Sequence, residues 1–139
     1  MEITANELQT ILENQNVQFT DTVVPGKACT MHRPGSGLVS LKGLTNQCRA
    51  RFKVSFGANI GLPTGGTVDA VSLAIAIDGE AIATTTMTVT PAAVEEYFNV
   101  FSAIYLDIPR GCCSQISVRN VSTQSIEVQN ANLIIERVA

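Results

Sequence analysis

The fold is decided by residues 68–108, which read VDAVSLAIAIDGEAIATTTMTVTPAAVEEYFNVFSAIYLDI. Apolar side chains recur at every second position from Val71 to Ile77, which is the period of a β-strand with one face in a core. Asp78-Gly79 then favours a tight hairpin, because both residues accept positive backbone angles. We therefore predict a strand that ends at this turn and a returning strand over Ile82–Val89, where threonine is frequent.

A third strand is predicted after Pro91, and it is apolar on both faces for much of its length. The aromatic residues Tyr97, Phe101 and Tyr105 share one face of this strand, whereas the aliphatic residues that fill a sandwich lie on the other. One sandwich covers only one face, so the second face needs a loop of the same chain or another subunit. We expect the three aromatic side chains to form an oligomer interface, with burial under a loop as the alternative.

The composition predicts an exterior that is poor in charge. Only 15% of the 139 residues are charged and 45% are hydrophobic. Soluble domains average about 25% charged residues, so part of this exterior is expected to be covered in an oligomer. The length fits one domain, and a net charge of −3 gives no general attraction to nucleic acid or to an anionic membrane.

The lack of a recognisable targeting signal and the cysteine content indicate the compartment in which the protein is expected to fold. No apolar run approaches the ~18 residues that cross a bilayer, and the N-terminus lacks the basic start of a secretory signal. We therefore expect synthesis and first folding in the cytoplasm. The cysteines are expected to be free thiols there, with a disulfide as the alternative in oxidising surroundings; they are Cys29, Cys48, Cys112 and Cys113.

Residues 1–15 are predicted to be a separate attachment segment that contains a short N-terminal helix. Thr4 and Glu7 have the spacing of a capping box, which satisfies backbone amides at a helix start. The helix, from Ala5 to about Asn14, is too short to hold alone in water and must dock on its own domain or on another protein. Its apolar side would carry three residues, Leu8, Ile11 and Leu12.

Residues 16–139 are predicted to form a single all-β domain. Short strands follow one another at spacings near ten residues, with turn residues such as Pro34-Gly35-Ser36-Gly37 between them. Asn120 and Asn130 are placed at turns between the last strands. This pattern, without intervening helices, is typical of an antiparallel β-sandwich or barrel.

Three segments carry a resemblance to a known family: 71–79 (VSLAIAIDG), 108–120 (IPRGCCSQISVRN) and 128–135 (VQNANLII). They resemble the jelly-roll heads of the tumour-necrosis-factor and complement-head superfamily, including its bacterial spore-surface and phage relatives. The resemblance covers the second half of the chain, from about Gly65, and implies a jelly-roll sandwich that assembles as a compact homotrimer. The whole chain is also similar to small proteins encoded in prophages.

Candidate chemical groups are few. His32 is the single histidine, and one imidazole cannot build the metal site of a cupin-like jelly roll, so an exposed turn residue is expected. Adjacent Cys112 and Cys113 lack the spacing of a structural zinc site. We expect no catalytic residue, no metal and no cofactor.

A stripe of three cations follows the strand that begins at Arg49. Arg49, Arg51 and Lys53 alternate with apolar residues, so the three charges share one face. A solvated face is one interpretation, and docking on an acidic surface such as a capsid neighbour is the other. Nucleic-acid binding is disfavoured, because no aromatic residues are interleaved with the stripe for base stacking.

These observations predict a non-enzymatic structural protein: a homotrimeric jelly-roll knob that decorates a phage or prophage particle. Its expected partners are further copies of itself and a capsid or other particle protein, so the virion is an expected location besides the cytoplasm. The alternative is a binding module in which the loops Pro34–Gly37 and Pro63–Gly66 recognise a glycan or a host surface protein.

Overall fold

The computed structural model describes residues 1–26, 30–43, 49–111 and 113–138. These residues form twelve β-strands and one turn of 3-10 helix. The strands are β1 (Glu2–Ala5), β2 (Gln9–Ile11), β3 (Asp21–Val24), β4 (Thr30–His32), β5 (Val39–Lys42), β6 (Arg49–Gly61), β7 (Val71–Ile77), β8 (Glu80–Ala81), β9 (Met87–Val89), β10 (Tyr97–Pro109), β11 (Cys113–Asn120) and β12 (Ile126–Arg137), and the 3-10 turn is Ala83–Thr85. No helix in these ranges is long and apolar enough to cross a membrane.

The strands build two antiparallel sheets that pack face to face. The first sheet has the order β10-β6-β12-β1-β3, with β2 also paired to β12. The second has the order β4-β5-β11-β7-β8, with β9 also paired to β7. The predicted all-β jelly-roll sandwich is therefore confirmed.

The core lies between the inner faces of the two sheets. Along β6 every second residue from Ala50 to Ile60 points inward and is at most 1% exposed. Phe56 meets Phe19 edge to face, with ring centroids 6.3 Å apart. Val39, Ile75 and other aliphatic residues of the second sheet complete this layer. Two-residue periodicity therefore positions the core side chains as the sequence predicts.

The hairpin at Asp78-Gly79 is confirmed. Asp78 has φ of 50° and Gly79 has φ of 85°, the left-handed pair that a tight two-residue turn requires. The Asp78 Oδ1 accepts a hydrogen bond from the backbone N–H of Gln115 at 2.9 Å, and the Arg119 guanidinium donates to the Gly79 carbonyl. The turn is thus tied to the neighbouring strand β11.

The predicted N-terminal helix is wrong. Residues 2–5 are extended as β1, which places Ile3 and Ala5 in the core and pairs the backbone with both β12 and β3. A further short strand, β2, follows and also pairs with β12. A helix of ten residues has little stability of its own, so sheet pairing that satisfies the backbone and buries apolar side chains overrides the local capping pattern.

Two other strand predictions need correction. The return over Ile82–Val89 is interrupted by the 3-10 turn, because the Thr85 hydroxyl accepts the backbone N–H of Ile75 at 2.9 Å and donates to the Ile82 carbonyl at 2.7 Å. Asn130 does not separate two strands. It has φ of 52° and lies within the continuous strand β12, where the pairing register with β6 shifts between Gln129 and Asn132.

The cysteine prediction is tested at one position. Cys113 is an exposed free thiol at the start of β11. The other three, Cys29, Cys48 and Cys112, lie outside the described residues. Their predicted state as thiols therefore stays a prediction.

Candidate functional site

The outer face of the first sheet contains the three aromatic residues that the sequence singled out. In β10 the alternation directs Tyr97, Phe101 and Tyr105 outward, whereas Val100 and Ile108 point into the core. Phe101 is 67% exposed and Tyr105 is 61% exposed. Their own sandwich therefore leaves most of the surface of these two rings uncovered.

Tyr97 is the half-buried member of the three. Its hydroxyl lies 3.4 Å from Glu127 Oε1 on β12 and donates toward it. Burial raises the pKa of Tyr97, and the nearby negative charge of Glu127 raises it further. The hydrogen bond with Glu127 therefore holds the Tyr97 side chain against the first sheet, whereas Phe101 and Tyr105 remain largely exposed.

Glycines of β6 let the aromatic rings lie close to the sheet. Phe101 pairs with Gly57 and Tyr97 pairs with Gly61 across the β10–β6 ladder. A Cβ added at Gly57 would lie 3.8 Å from the Phe101 ring, and one at Gly61 would lie 2.8 Å from the Tyr97 ring. Each ring thus covers a position that has no side chain of its own, which smooths this part of the face.

Between the two exposed rings, the face carries small or apolar residues. Ala103 lies between Phe101 and Tyr105 on the same face of β10, and it pairs with Ser55 on β6. Ser55 pairs in turn with Ile134 on β12, which is 39% exposed. We call Phe101, Ala103, Tyr105, Ser55 and Ile134 the apolar patch. It is shallow, because short side chains alternate with the two rings.

The predicted cation stripe borders this patch at the end where β10 finishes. Arg51 forms two hydrogen bonds with Asp107, from Nε at 2.8 Å and from Nη2 at 3.2 Å, and Arg49 Nε lies 3.5 Å from the same carboxylate. The Arg51 hydrogen bond holds the pKa of Asp107 below its ordinary value, with a further contribution from Arg49. Asp107 raises the pKa of Arg51 in return.

Lys53 differs from the two arginines. It is exposed and is paired across the sheet with Tyr105 on one side and Glu136 on the other. The three cations share one face as predicted, yet two of them are engaged with a single carboxylate. The stripe therefore presents less free charge than its sequence suggests.

The predicted docking residues of the N-terminal segment do not form one surface. Leu8 is 49% exposed and Leu12 is 59% exposed, whereas Ile11 is 3% exposed and points into the core from β2. Because the segment is extended, residues that would share a helical side are distributed between the core and the solvent.

The structure also relocates His32. It lies in β4, half-buried, with its ring edge to face against Phe19 at 6.4 Å, and its Nε2 is 2.9 Å from the Ser36 carbonyl. The expected exposed turn residue is therefore wrong, and the imidazole instead holds a turn. Within the described ranges, no group of three or more histidine, cysteine or acidic residues is arranged to bind a metal ion.

Comparisons with solved structures identify the fold. The chain superposes on an Eiger TNF from S. frugiperda with a TM-score of 0.70, at 12% identity over 100% of this chain and 92% of that one. The globular domain of zebrafish complement 1qA gives 0.62, at 12% identity over 96% and 93% of the two chains. Murine APRIL gives 0.59, at 8% identity over 95% and 96%. The chain thus has the jelly-roll fold of these heads.

Sequence comparisons add nothing to this likeness. No family model matches the chain, and no curated protein matches it either.

Proposed function

We propose that this protein is a non-enzymatic structural protein that assembles as a homotrimer through the outer face of its first sheet. The observation that carries the proposal is the exposure of Phe101 and Tyr105 beside the small residues of the apolar patch. The resemblance to tumour-necrosis-factor and complement heads implies a homotrimer, and the shared jelly-roll fold supports that expectation.

The physical argument rests on the cost of leaving two aromatic rings in water. Burying a Phe side chain contributes roughly 1.5–3 kcal/mol, and a trimer would bury two rings from each of three subunits. The patch is shallow and its two rings lie on a 13-residue strand at the edge of the sheet, so a neighbouring sandwich can approach it without a large rearrangement. A copy of the same chain is the partner that is always present at matching concentration.

Light scattering coupled to size-exclusion chromatography tests the assembly. The wild-type protein is expected at about 44 kDa, three times the 14.8 kDa of one chain. A Phe101→Ser/Tyr105→Ser variant should elute as a single subunit, because losing two buried rings weakens association about a hundredfold or more. Circular dichroism should show an unchanged β-sheet spectrum, since both side chains are exposed in the single subunit.

The matched control is Met31→Ser/Val68→Ser. These residues are 54% and 52% exposed and lie on the second sheet and in a loop, away from the apolar patch. The control should keep the wild-type mass. A wild-type protein that remains a single subunit at micromolar concentration, or a control that dissociates like the Phe101/Tyr105 variant, would contradict the proposal.

The finer part of the proposal is that the trimer decorates a phage or prophage particle after synthesis in the cytoplasm. The sequence resemblance to small prophage-encoded proteins motivates this role, and Lys53 with the exposed Leu8 and Leu12 are the residues available for a particle partner. Mass spectrometry of particles purified from a producing culture should find the chain at a fixed copy number per particle. Its absence from such particles would remove the decoration role and leave the trimer.

A second candidate function is a binding module, and one observation favours it. A concavity of about 600 Å³ lies beside the loop Pro34–Gly37, on the second sheet. Its size is within the range of small-molecule sites. A glycan array with the intact protein tests this candidate, and specific signals are expected only if the concavity binds a saccharide.

A further inference from the structure

The concavity of the second sheet has a floor and a wall that come from different parts of the chain. Met31 on β4 pairs with Ser40 on β5, and Ser40 pairs with Gln115 on β11. The three side chains therefore form a row on the outer face of this sheet, with neighbouring strands ~4.8 Å apart. The wall is the connection between β4 and β5, which supplies Arg33, Ser36 and Leu38.

Several hydrogen bonds hold the wall in place. His32 Nε2 is 2.9 Å from the Ser36 carbonyl, and the Leu38 backbone N–H donates to Ser36 Oγ at 3.0 Å. On the other side, the Phe19 backbone N–H donates to the Ser36 carbonyl and the Gly35 N–H donates to the Phe19 carbonyl. A turn fixed from both sides loses little conformational entropy when a ligand binds beside it.

The lining combines one charge with free polar groups and apolar surface. Arg33 is exposed, and no carboxylate of the described residues lies within ion-pairing distance of it. The Ser40 hydroxyl and the Gln115 carboxamide make no hydrogen bond with the described part of the chain. Met31 and Leu38 are 54% and 40% exposed, so they offer aliphatic surface to the site.

We propose that this concavity binds a carboxylated monosaccharide unit, of the uronic or sialic acid type, within a glycan. Arg33 would bind the carboxylate, since a guanidinium forms paired hydrogen bonds with it. Ser40 and Gln115 would hydrogen-bond the ring hydroxyls, and Met31 with Leu38 would contact the C–H face of the ring.

A simple inorganic anion explains the lining less well. Phosphate and sulfate sites gather several cations or backbone amides around one centre, whereas the lining of this site of about 600 Å³ contains a single arginine. A small inorganic anion bound to Arg33 would also leave the Ser40 hydroxyl and the Gln115 carboxamide without a ligand group that carries hydroxyls. A ligand that carries both one negative charge and several hydroxyls uses all of them.

This inference rests on the second candidate function, the binding module, and not on trimer assembly. The concavity lies on the second sheet, whereas the apolar patch lies on the outer face of the first. The site therefore stays open when the outer face of the first sheet is covered. Loss of glycan binding and loss of the trimer are separate outcomes.

NMR titration of the labelled wild-type protein tests the proposal with four probes: methyl glucuronide, the methyl glycoside of N-acetylneuraminic acid, methyl glucoside and sodium sulfate. At least one acidic glycoside should bind about tenfold or more tightly than methyl glucoside, and it should shift the Met31, Ser40 and Gln115 signals. Arg33→Gln should lower that affinity about tenfold or more and leave the weak binding of methyl glucoside unchanged. Arg49→Gln, which removes a cation from the first sheet, is the matched control and should bind like the wild type.

Four results would overturn the inference. Equal affinity for methyl glucuronide and methyl glucoside would leave a binding module without a carboxylate site. Displacement of the bound acidic glycoside by sulfate at equal concentration would indicate an anion site only. Unchanged affinity in Arg33→Gln would remove the role of that residue. No binding of any saccharide would remove both the inference and the second candidate function, while the mass of the assembly would still decide the trimer.

Discussion

The strands pair differently within the two sheets of this sandwich. In the first sheet β6 and β10 pair residue by residue along 13 positions without a register shift, and β12 continues the ladder on the other side of β6. In the second sheet β7 pairs with two residues of β8 at one end and three of β9 at the other. The Thr85 side chain fills the gap between them by bonding to Ile75.

This difference in strand pairing indicates what kind of partner the outer face of each sheet can contact. A long, regular ladder with glycines beneath its rings presents an even face, which favours contact with another large surface. A sheet of short strands has connections that rise above it, and the connection between β4 and β5 forms the wall of a concavity. The first sheet is thus suited to self-association and the second to a small ligand.

Substitution of Asn120 should have the largest effect on stability, because this residue joins the second sheet to β2 of the first. Its side chain is fully buried and donates to the carbonyls of Ile11, Leu12 and Gln124, while its Oδ1 accepts the Ser122 N–H. Asn120→Ala leaves these groups without partners, so we expect a loss of about 3 kcal/mol in the free energy of unfolding. Denaturant unfolding at one protein concentration measures it.

Asn99→Ala is the matched control for this prediction. Asn99 lies on the outer face of the first sheet and is exposed in the single subunit, where its carboxamide donates to Asn59 Oδ1 at 3.1 Å and to the Ala58 carbonyl at 3.4 Å. We expect a change within about 0.5 kcal/mol. Similar losses in both variants would show that side-chain bonds matter no more at the junction of the sheets than on the regular ladder.

The regular parts of both sheets could be predicted from the sequence, because their signals are local. The two-residue period of β7, the positive angles of Asp78-Gly79 and the outward aromatic face of β10 each depend on residues a few positions apart. Where a distant partner decides the conformation, prediction fails. Residues 5–14 carry a local helix pattern, yet β1 and β2 pair with β12 at the opposite end of the chain.

The two candidate sites were predictable to different extents. Tyr97, Phe101 and Tyr105 were found by alternation alone, but the register that places Gly57 and Ser55 beside them was not visible. For the concavity, turn residues identified only the loop Pro34–Gly37. Its floor depends on the pairing of β5 with β11, which are far apart in the sequence, and no periodicity reports such a pairing.

An intermediate effect is expected from Gly61→Ala, which tests how tightly the aromatic row lies on β6. The added Cβ would lie 2.5 Å from the backbone oxygen of Glu96 and 2.8 Å from the Tyr97 ring. Backbone cannot move aside as a flexible side chain can, so we expect a loss of about 2 kcal/mol in the free energy of unfolding. The Tyr97 side-chain signals should shift in the NMR spectrum of this variant.

Gly57→Ala provides the comparison within the same strand. Its nearest contact would be the side-chain oxygen of Asn132 at 3.1 Å, which can rotate away, and alanine reduces the entropy of the unfolded chain. We expect a change within about 1 kcal/mol in either direction. Equal losses for the two glycines would mean that the distance to backbone does not decide the effect.

The smallest effect on stability is expected at Asp107. There the prediction concerns the pKa of the carboxyl group, and the free energy of unfolding should change little. The Arg51 hydrogen bond holds the pKa of Asp107 below 3.8, so the folded state is favoured above that pH and this contribution is lost as the pH falls through the lowered value. Both partners are substantially exposed, and exposed ion pairs contribute little to stability. Arg51→Gln should therefore return the pKa of Asp107 toward 3.8 in a carboxyl NMR titration, whereas Arg33→Gln, which removes a charge from the second sheet, should leave it low. An unchanged Asp107 titration in Arg51→Gln would mean that Arg49 alone lowers this pKa. The ion pair between Arg49 and Asp107, at 3.5 Å, would then matter more than the closer contact of Arg51 at 2.8 Å.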